Sequence, residues 1–242
     1  HFTRVLRADK SNENILYAGT ETGMYISYDK GTSWNEFQKN LPIVPITDLT
    51  IKDNSLIVAT QGRSIWMLDD LTVIHQLSSS IDEEKLYKPK DSYRMRGAGG
   101  RKSLTAGTNL PNGVIIHYFL PNYNDESDEV NLSIHSSDGE LIKEFSNKGK
   151  ENSIKVKKGG NSFVWDMKYP GAKRLDNMVL WGADFSGAKT VPGDYIVKLS
   201  VNDSELTQDF TIHKDPTSEG SIEDIKAQFE FVNEINGVVD EA

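Results

Sequence analysis

Ser27-Tyr28-Asp29-Lys30-Gly31-Thr32-Ser33-Trp34 decides how the first third of the chain is read. It matches the whole S-x-D-x-G-x-[ST]-W pattern of an Asp-box turn and directly follows the strand-like run Gly23–Ser27. The residue types suit a closed turn. Asp29 can accept hydrogen bonds from nearby backbone N–H groups, and Gly31 can take a positive φ without a Cβ penalty. Trp34 is then free to fold back between neighbouring sheets. The pattern predicts a β-propeller blade, and the role it gives Ser27, Asp29, Gly31 and Trp34 is structural.

The surrounding sequence repeats. Arg4–Ala8, Ile15–Thr20, Gly23–Ser27 and Trp34–Phe37 read as four strands, the content of one blade. Ile46–Ile51, Ser55–Thr60 and Ser64–Leu68 read as three more, with Thr72–Leu77 as a candidate fourth. A-G-T-E-T-G-M-Y-I-S aligns with V-A-T-Q-G-R-S-I-W-M at a period of about 40 residues. The second unit has no matching box, because Leu68–Leu71 reads L-D-D-L. Residues 1–77 are therefore expected to be terminal propeller blades, about two of them.

Residues 78–110 break the alternation. Pro89, Gly97, Gly99, Gly100 and Gly107 punctuate them, with Arg94, Arg96, Arg101 and Lys102 between. They read as a Gly/Pro/basic linker. Residues 111–214 return to strands at Val114–Phe119, Val130–His135, Glu140–Phe145, Ser153–Val156, Ser162–Met167, Tyr195–Val201 and Leu206–His213. The period-two alternation of V-N-L-S-I-H and Y-I-V-K-L-S-V buries one face. Seven strands in about 100 residues predict an immunoglobulin-like β-sandwich, interrupted by a long loop at 168–193. Residues 215–242 predict an acidic amphipathic helix. Ser221 and Asp224 fit its N-terminus, and Ile222, Ile225, Phe229, Val232 and Val239 share a face. Its packing partner is expected beyond the end of the chain.

Bulk properties narrow the function. The chain has 242 residues, no cysteine and a formal net charge of -9. Disulfides and thiolate metal sites are excluded. The acidic balance argues against nucleic acid, which needs a basic face to displace counterions. No apolar run approaches the roughly 18 residues of a membrane span. The abrupt start at His1, in strand-like sequence by Val5, reads as a cut through a longer protein.

The chain resembles the C-terminal part of bacterial Asp-box (BNR-repeat) proteins with sortilin-like, VPS10-type propellers, a family often labelled glycosyl hydrolases. The resemblance rests on Leu16–Gly23, Ser27–Trp34, Asn40-Leu41-Pro42, Thr60–Arg63, Trp66–Asp70 and Pro192–Tyr195. Gln61 stands where the family usually has His. V-P-G-D-Y-I-V-K-L is similar to the Ig-like module of flagellar hook-capping proteins. The resemblance implies a periplasmic or secreted parent that engages a carbohydrate or protein ligand. A propeller glycoside hydrolase with its active site mostly in upstream blades is the alternative.

Candidate chemistry is sparse. A glycosidase needs two carboxylates about 5–10 Å apart across a cleft, and a propeller builds such a site from several blades. Two blades cannot complete one, so no catalytic residue is assigned. Arg63, in a tight turn between strands, is the candidate ligand-binding residue of the blades. Trp181 and Phe185 in the long loop are candidates for stacking on a sugar, with Trp165 and Tyr169 nearby. The five histidines lack ligand spacing, and the acidic run Asn124–Glu129 lacks the glycine of a calcium loop. No metal and no cofactor is expected. Gly97–Gly100 followed by Arg101 and Lys102 lacks the G-K-[ST] of a phosphate loop. An open pair of blades should leave an apolar face to be covered by the sandwich, the linker or another copy.

Overall fold

The computed structural model describes residues 2–77, 82–95, 109–173, 182 and 185–241. The chain is mainly β, with a curled half-barrel sheet and a C-terminal helix. It divides into two compact units, His1–Asp82 and Glu83–Ala242.

The first unit holds two antiparallel meanders. β1 (Thr3–Ala8), β2 (Leu16–Thr20), β3 (Met24–Ser27) and β4 (Asn35–Glu36) form one sheet in chain order. β5 (Ile46–Lys52), β6 (Ser55–Thr60) and β7 (Ile65–Leu68) form the other. They share one core, in which Tyr17, Met24 and Ile26 meet Leu49, Leu56 and Val58. Gly19 lets the sheets approach, since a Cβ there would lie 2.6 Å from Ile46 Cγ2 and 2.7 Å from Val5 Cγ1. Arg7 reaches across to the Leu49 carbonyl (2.9 Å) and to Asp48 (2.7 Å).

The segment expected to be an eighth strand here, Thr72–Leu77, is instead helix α1 (Thr72–Gln76). Its apolar residues Val73 and Ile74 are adjacent, and only Ile74 is buried. The turn also delivers His75 to Asp9, at 2.9 Å. The Asp9 carboxylate is fully buried and also accepts from Tyr17 Oη (3.1 Å) and from the N–H groups of Ser11 and Asn12. Burial pushes its pKa up, but the hydrogen bond from His75 and those from the backbone outweigh that. The group titrates below the ordinary carboxylate range. The same burial, with Asp9 alongside, pushes the Tyr17 phenol far up.

The second unit has two sheets over one core. β8 (Lys85–Leu86), β10 (Val114–Leu120) and β13 (Gly159–Trp165) make a three-stranded sheet in the order β13-β10-β8. β9 (Ser92–Arg94), β11 (Val130–Ser136), β12 (Leu141–Ser146), β14 (Gly193–Val201) and β15 (Ser204–Lys214) make the other, in the order β12-β11-β14-β15-β9. Inward residues alternate along each strand, as in BiBiBiB for β10. They close around fully buried Trp165, which meets Tyr195 and Phe210.

Two expectations need correcting in this unit. Part of the predicted linker is folded, because β8 extends one sheet and β9 pairs in parallel with β15. Strands of two and three residues leave no periodicity to read, and tertiary pairing alone fixes them. Ser153–Val156 is no strand and makes only an isolated bridge, Ser146 to Ser153.

Helix α2 (Ile222–Glu241) starts as its sequence predicts. Ser221 Oγ accepts from Asp224 N–H at 3.1 Å, and the Asp224 carboxylate accepts back from Ser221 N–H at 2.8 Å. Its partner was expected beyond the chain end, yet its first half packs within its own unit. Ile225 is buried, and Phe229 meets Tyr169 edge-on at 4.8 Å between ring centroids. Phe231, Ile235, Val238 and Val239 stay exposed.

Candidate functional site

The Asp29 turn is closed by its own side chains. Ser27 Oγ donates to Asp29 Oδ1 at 2.7 Å, and Ser33 N–H donates to the same oxygen at 2.8 Å. Ser33 Oγ donates to Oδ2 at 2.6 Å. Gly31 takes φ +91°, and its N–H donates to Ser27 Oγ at 2.8 Å. The Ser33 hydroxyl, then the Ser33 N–H and the Ser27 hydroxyl, pull the Asp29 pKa down to about 2. Both carboxylate oxygens are therefore committed to the turn, which suits a fastener rather than a base. Trp34 does not insert between sheets: it is 39% exposed, and its Nε1 donates to the Gly31 carbonyl at 3.1 Å.

The second meander closes the equivalent turns with different residues. Thr20 bonds the Gly23 carbonyl through N–H and Oγ1, and Thr60 bonds the Ser64 carbonyl in the same way. The β6–β7 turn is therefore one residue longer. That shift makes Asp70, not Asp69, the counterpart of Asp29. Asp70 Oδ1 accepts from Thr72 N–H and from Asn54 Nδ2, both at 2.9 Å.

Arg63 lies exposed in that longer turn, where its carbonyl accepts from Trp66 Nε1 at 2.7 Å. Ser27, Asp29, Gly31 and Trp34 converge in one turn, and Arg63 belongs to another. Phe185 belongs to the second unit and is half-buried. Trp181 and Gly97–Gly100 lie outside the described residues.

The concave site that sequence reasoning missed lies in the second unit. The neck of the long loop is a short ribbon. Lys168 bridges Lys189, Tyr169 N–H donates to the Ala188 carbonyl and Thr190 N–H to the Met167 carbonyl. Gly171 and Gly187 let the two runs touch, since a Cβ on either would overlap a carbonyl of the other run. Tyr195 Oη fixes the loop's end by donating to the Val191 carbonyl at 2.6 Å.

This ribbon, Arg94 of β9 and the first half of α2 enclose a cleft of about 690 Å³, within the size range of ligand sites. Arg94, Lys168 and Lys189 line it, with Ile225, Phe229 and Val232 on its apolar side. The cations bond neutral oxygens. Arg94 donates to the Thr190 carbonyl (2.8 Å) and to Gln228 Oε1 (3.2 Å). Lys168 donates to Ser186 Oγ (2.8 Å) and Lys189 to the Met95 carbonyl (2.5 Å). Burial, and then the charges of Arg94 and Lys168, lower the Lys189 pKa. Burial likewise lowers that of Arg94. The one visible sequence signal was the two lysines at the ends of an irregular loop. Arg94 was read with the linker.

Comparison with family models, curated proteins and solved structures finds no match to this chain.

Proposed function

We propose that this chain is a non-catalytic binding or scaffolding segment of a larger exported propeller protein, engaging a glycan or a protein. In this reading the first unit supplies two terminal blades and the second an immunoglobulin-like module. The matched Thr20 and Thr60 turns, and the Asp29 and Asp70 turns one residue out of step, support a repeat of one blade design. The exported location rests on the family resemblance alone.

The observation that carries the binding reading is the cleft. Three cations sit in one concavity beside apolar side chains, with their hydrogen bonds spent on neutral oxygens. That is recognition chemistry, with charge to attract and an apolar side to add contact area. Asp29, the conspicuous loop carboxylate, is occupied by its own turn. A glycan array read with the whole 242-residue chain tests the proposal. Saturable retention without release of sugar is expected. Release of reducing sugar from a retained glycan would instead mark the chain as part of a hydrolase.

A further inference from the structure

Arg94, Lys168 and Lys189 come from three places in the sequence and meet at one cleft. Two of them face each other across the ribbon at the Lys168–Lys189 bridge. Like charges placed opposite each other on a ribbon are destabilising. Elsewhere five cations pair with carboxylates, in Arg4–Glu21, Arg7–Asp48, Lys30–Glu13, Lys88–Asp209 and Lys198–Glu205, while Lys148 and Lys214 bond carbonyls. In the cleft the three cations are held on carbonyl, hydroxyl and amide oxygens. Among the described residues no carboxylate is hydrogen-bonded to any of the three, although the Asp166 charge acts on Lys189.

The lining also bears on the ligand's charge. Among the described residues Asp215 and Asp224 border the same cleft, and the Asp166 charge acts on Lys189. These acids oppose a densely charged anion, so one carboxylate beside the cations is the better fit. The remaining polar lining includes Ser218 and Gln228, a hydroxyl and an amide of the kind suited to hydroxyls. Phe229 and Ile225 give the apolar side on which the C–H face of a sugar ring can rest.

We propose that this cleft binds an acidic glycan of the uronate type. One ring carboxylate sits among Arg94, Lys168 and Lys189, and the ring lies against α2. The proposal rests on the binding reading above and names the ligand class of its site. The anion also relieves the repulsion between the two lysines, so binding should shield their charges from each other.

The test is isothermal titration of the whole chain with trigalacturonate, with galactotriose as its neutral counterpart, and with triglutamate and inorganic phosphate as anions lacking the sugar. Trigalacturonate should bind, and galactotriose should bind at least tenfold more weakly. Lys168→Gln and Lys189→Gln should each weaken trigalacturonate by about tenfold, the loss of one charge-assisted hydrogen bond. Lys168→Gln removes only the bond to Ser186, so it carries the test if the Lys189 variant does not fold. Equal affinity for galactotriose would overturn the proposal. So would triglutamate or phosphate binding as tightly as trigalacturonate, or a Lys168 variant that binds unchanged. Retention of neutral glycans alone on the array would sink the uronate assignment and leave the binding reading standing. Retention of no glycan would remove the support for both.

Discussion

Replacing Gly19 by Ala should separate the two sheets of the first unit. Gly19 lies opposite Val5 on β1 and Met24 on β3. An added Cβ would meet Ile46 Cγ2 at 2.6 Å, Val5 Cγ1 at 2.7 Å and Ile46 Cβ at 2.8 Å. Contacts this short must be relieved by movement. The two neighbours are β-branched and stiff at χ1, and Ile46 Cβ moves only with its backbone, so β5 must retreat. Overpacking costs about 1–3 kcal/mol, and the rigidity of the neighbours argues for the upper end, about 3 kcal/mol. Hydrogen exchange reads this locally, so the second unit serves as an internal control. Amides of β2, β5 and β6 that open with their unit should lose protection by about a hundredfold. Those of β11 and β14 should be unchanged. Ile46→Ala removes the nearest methyl, so the Gly19→Ala/Ile46→Ala pair should cost less than the sum of the single changes by about 1–2 kcal/mol. Unaltered protection in Gly19→Ala, or strict additivity in the pair, would refute the close approach of the sheets at this point.

Other expectations follow from single residues. The Asp29 pKa is held near 2, below its unfolded value. Its contribution is complete above the ordinary carboxylate range and lost as pH falls through about 2. Stability of the first unit should therefore decline between pH 4 and pH 2, and Asp29→Ala should flatten that decline in acid titrations followed by circular dichroism. Asp9→Ala should cost about 3 kcal/mol in urea melts, because the buried Tyr17 hydroxyl and two backbone N–H groups lose their acceptor. The Asp9 pKa is also depressed, so this variant too should lose part of the acid sensitivity. Trp165→Ala should cost about 3–5 kcal/mol in the second unit and leave exchange in β2 and β6 untouched.

The first unit was largely legible because its signals are local. Apolar alternation, glycine in turns and the Ser27–Trp34 pattern each act within a few residues. The errors arise where local sequence is silent. Asp69 and Asp70 are adjacent acids, and only the extra residue between Thr60 and Ser64 decides which one takes Asp29's place. Thr72–Leu77 has no clear period of its own, and α1 packs through Ile74 while His75 bonds a buried carboxylate from another part of the chain. β8 and β9 are too short to announce themselves and exist because longer strands leave edges for them. The second unit's core followed the same period-two rule as the first, and its long strands were found accordingly.

The cleft was illegible for a different reason. Lys168, Lys189 and Arg94 are ordinary surface residues one at a time, and they become a site only when β9 is laid beside β15 and the loop neck is drawn together. Drawing it together has an electrostatic cost. The ribbon could carry an acid at either of its bridged positions, and the diagonal Lys198–Glu205 pair shows this protein setting opposite charges together across β14 and β15. At the neck it carries lysine on both sides. Local choices that oppose stability are expected where function is served. The glycine pair Gly171 and Gly187 sharpens the point, because it holds the two runs so close that the lysines cannot move apart with the backbone. A Lys189→Glu variant should accordingly stabilise the second unit, seen as a higher melting temperature, while abolishing retention of acidic ligands. A variant that lost stability together with binding would mean that the lysine pair serves the fold, and the cleft would lose its claim to be a site.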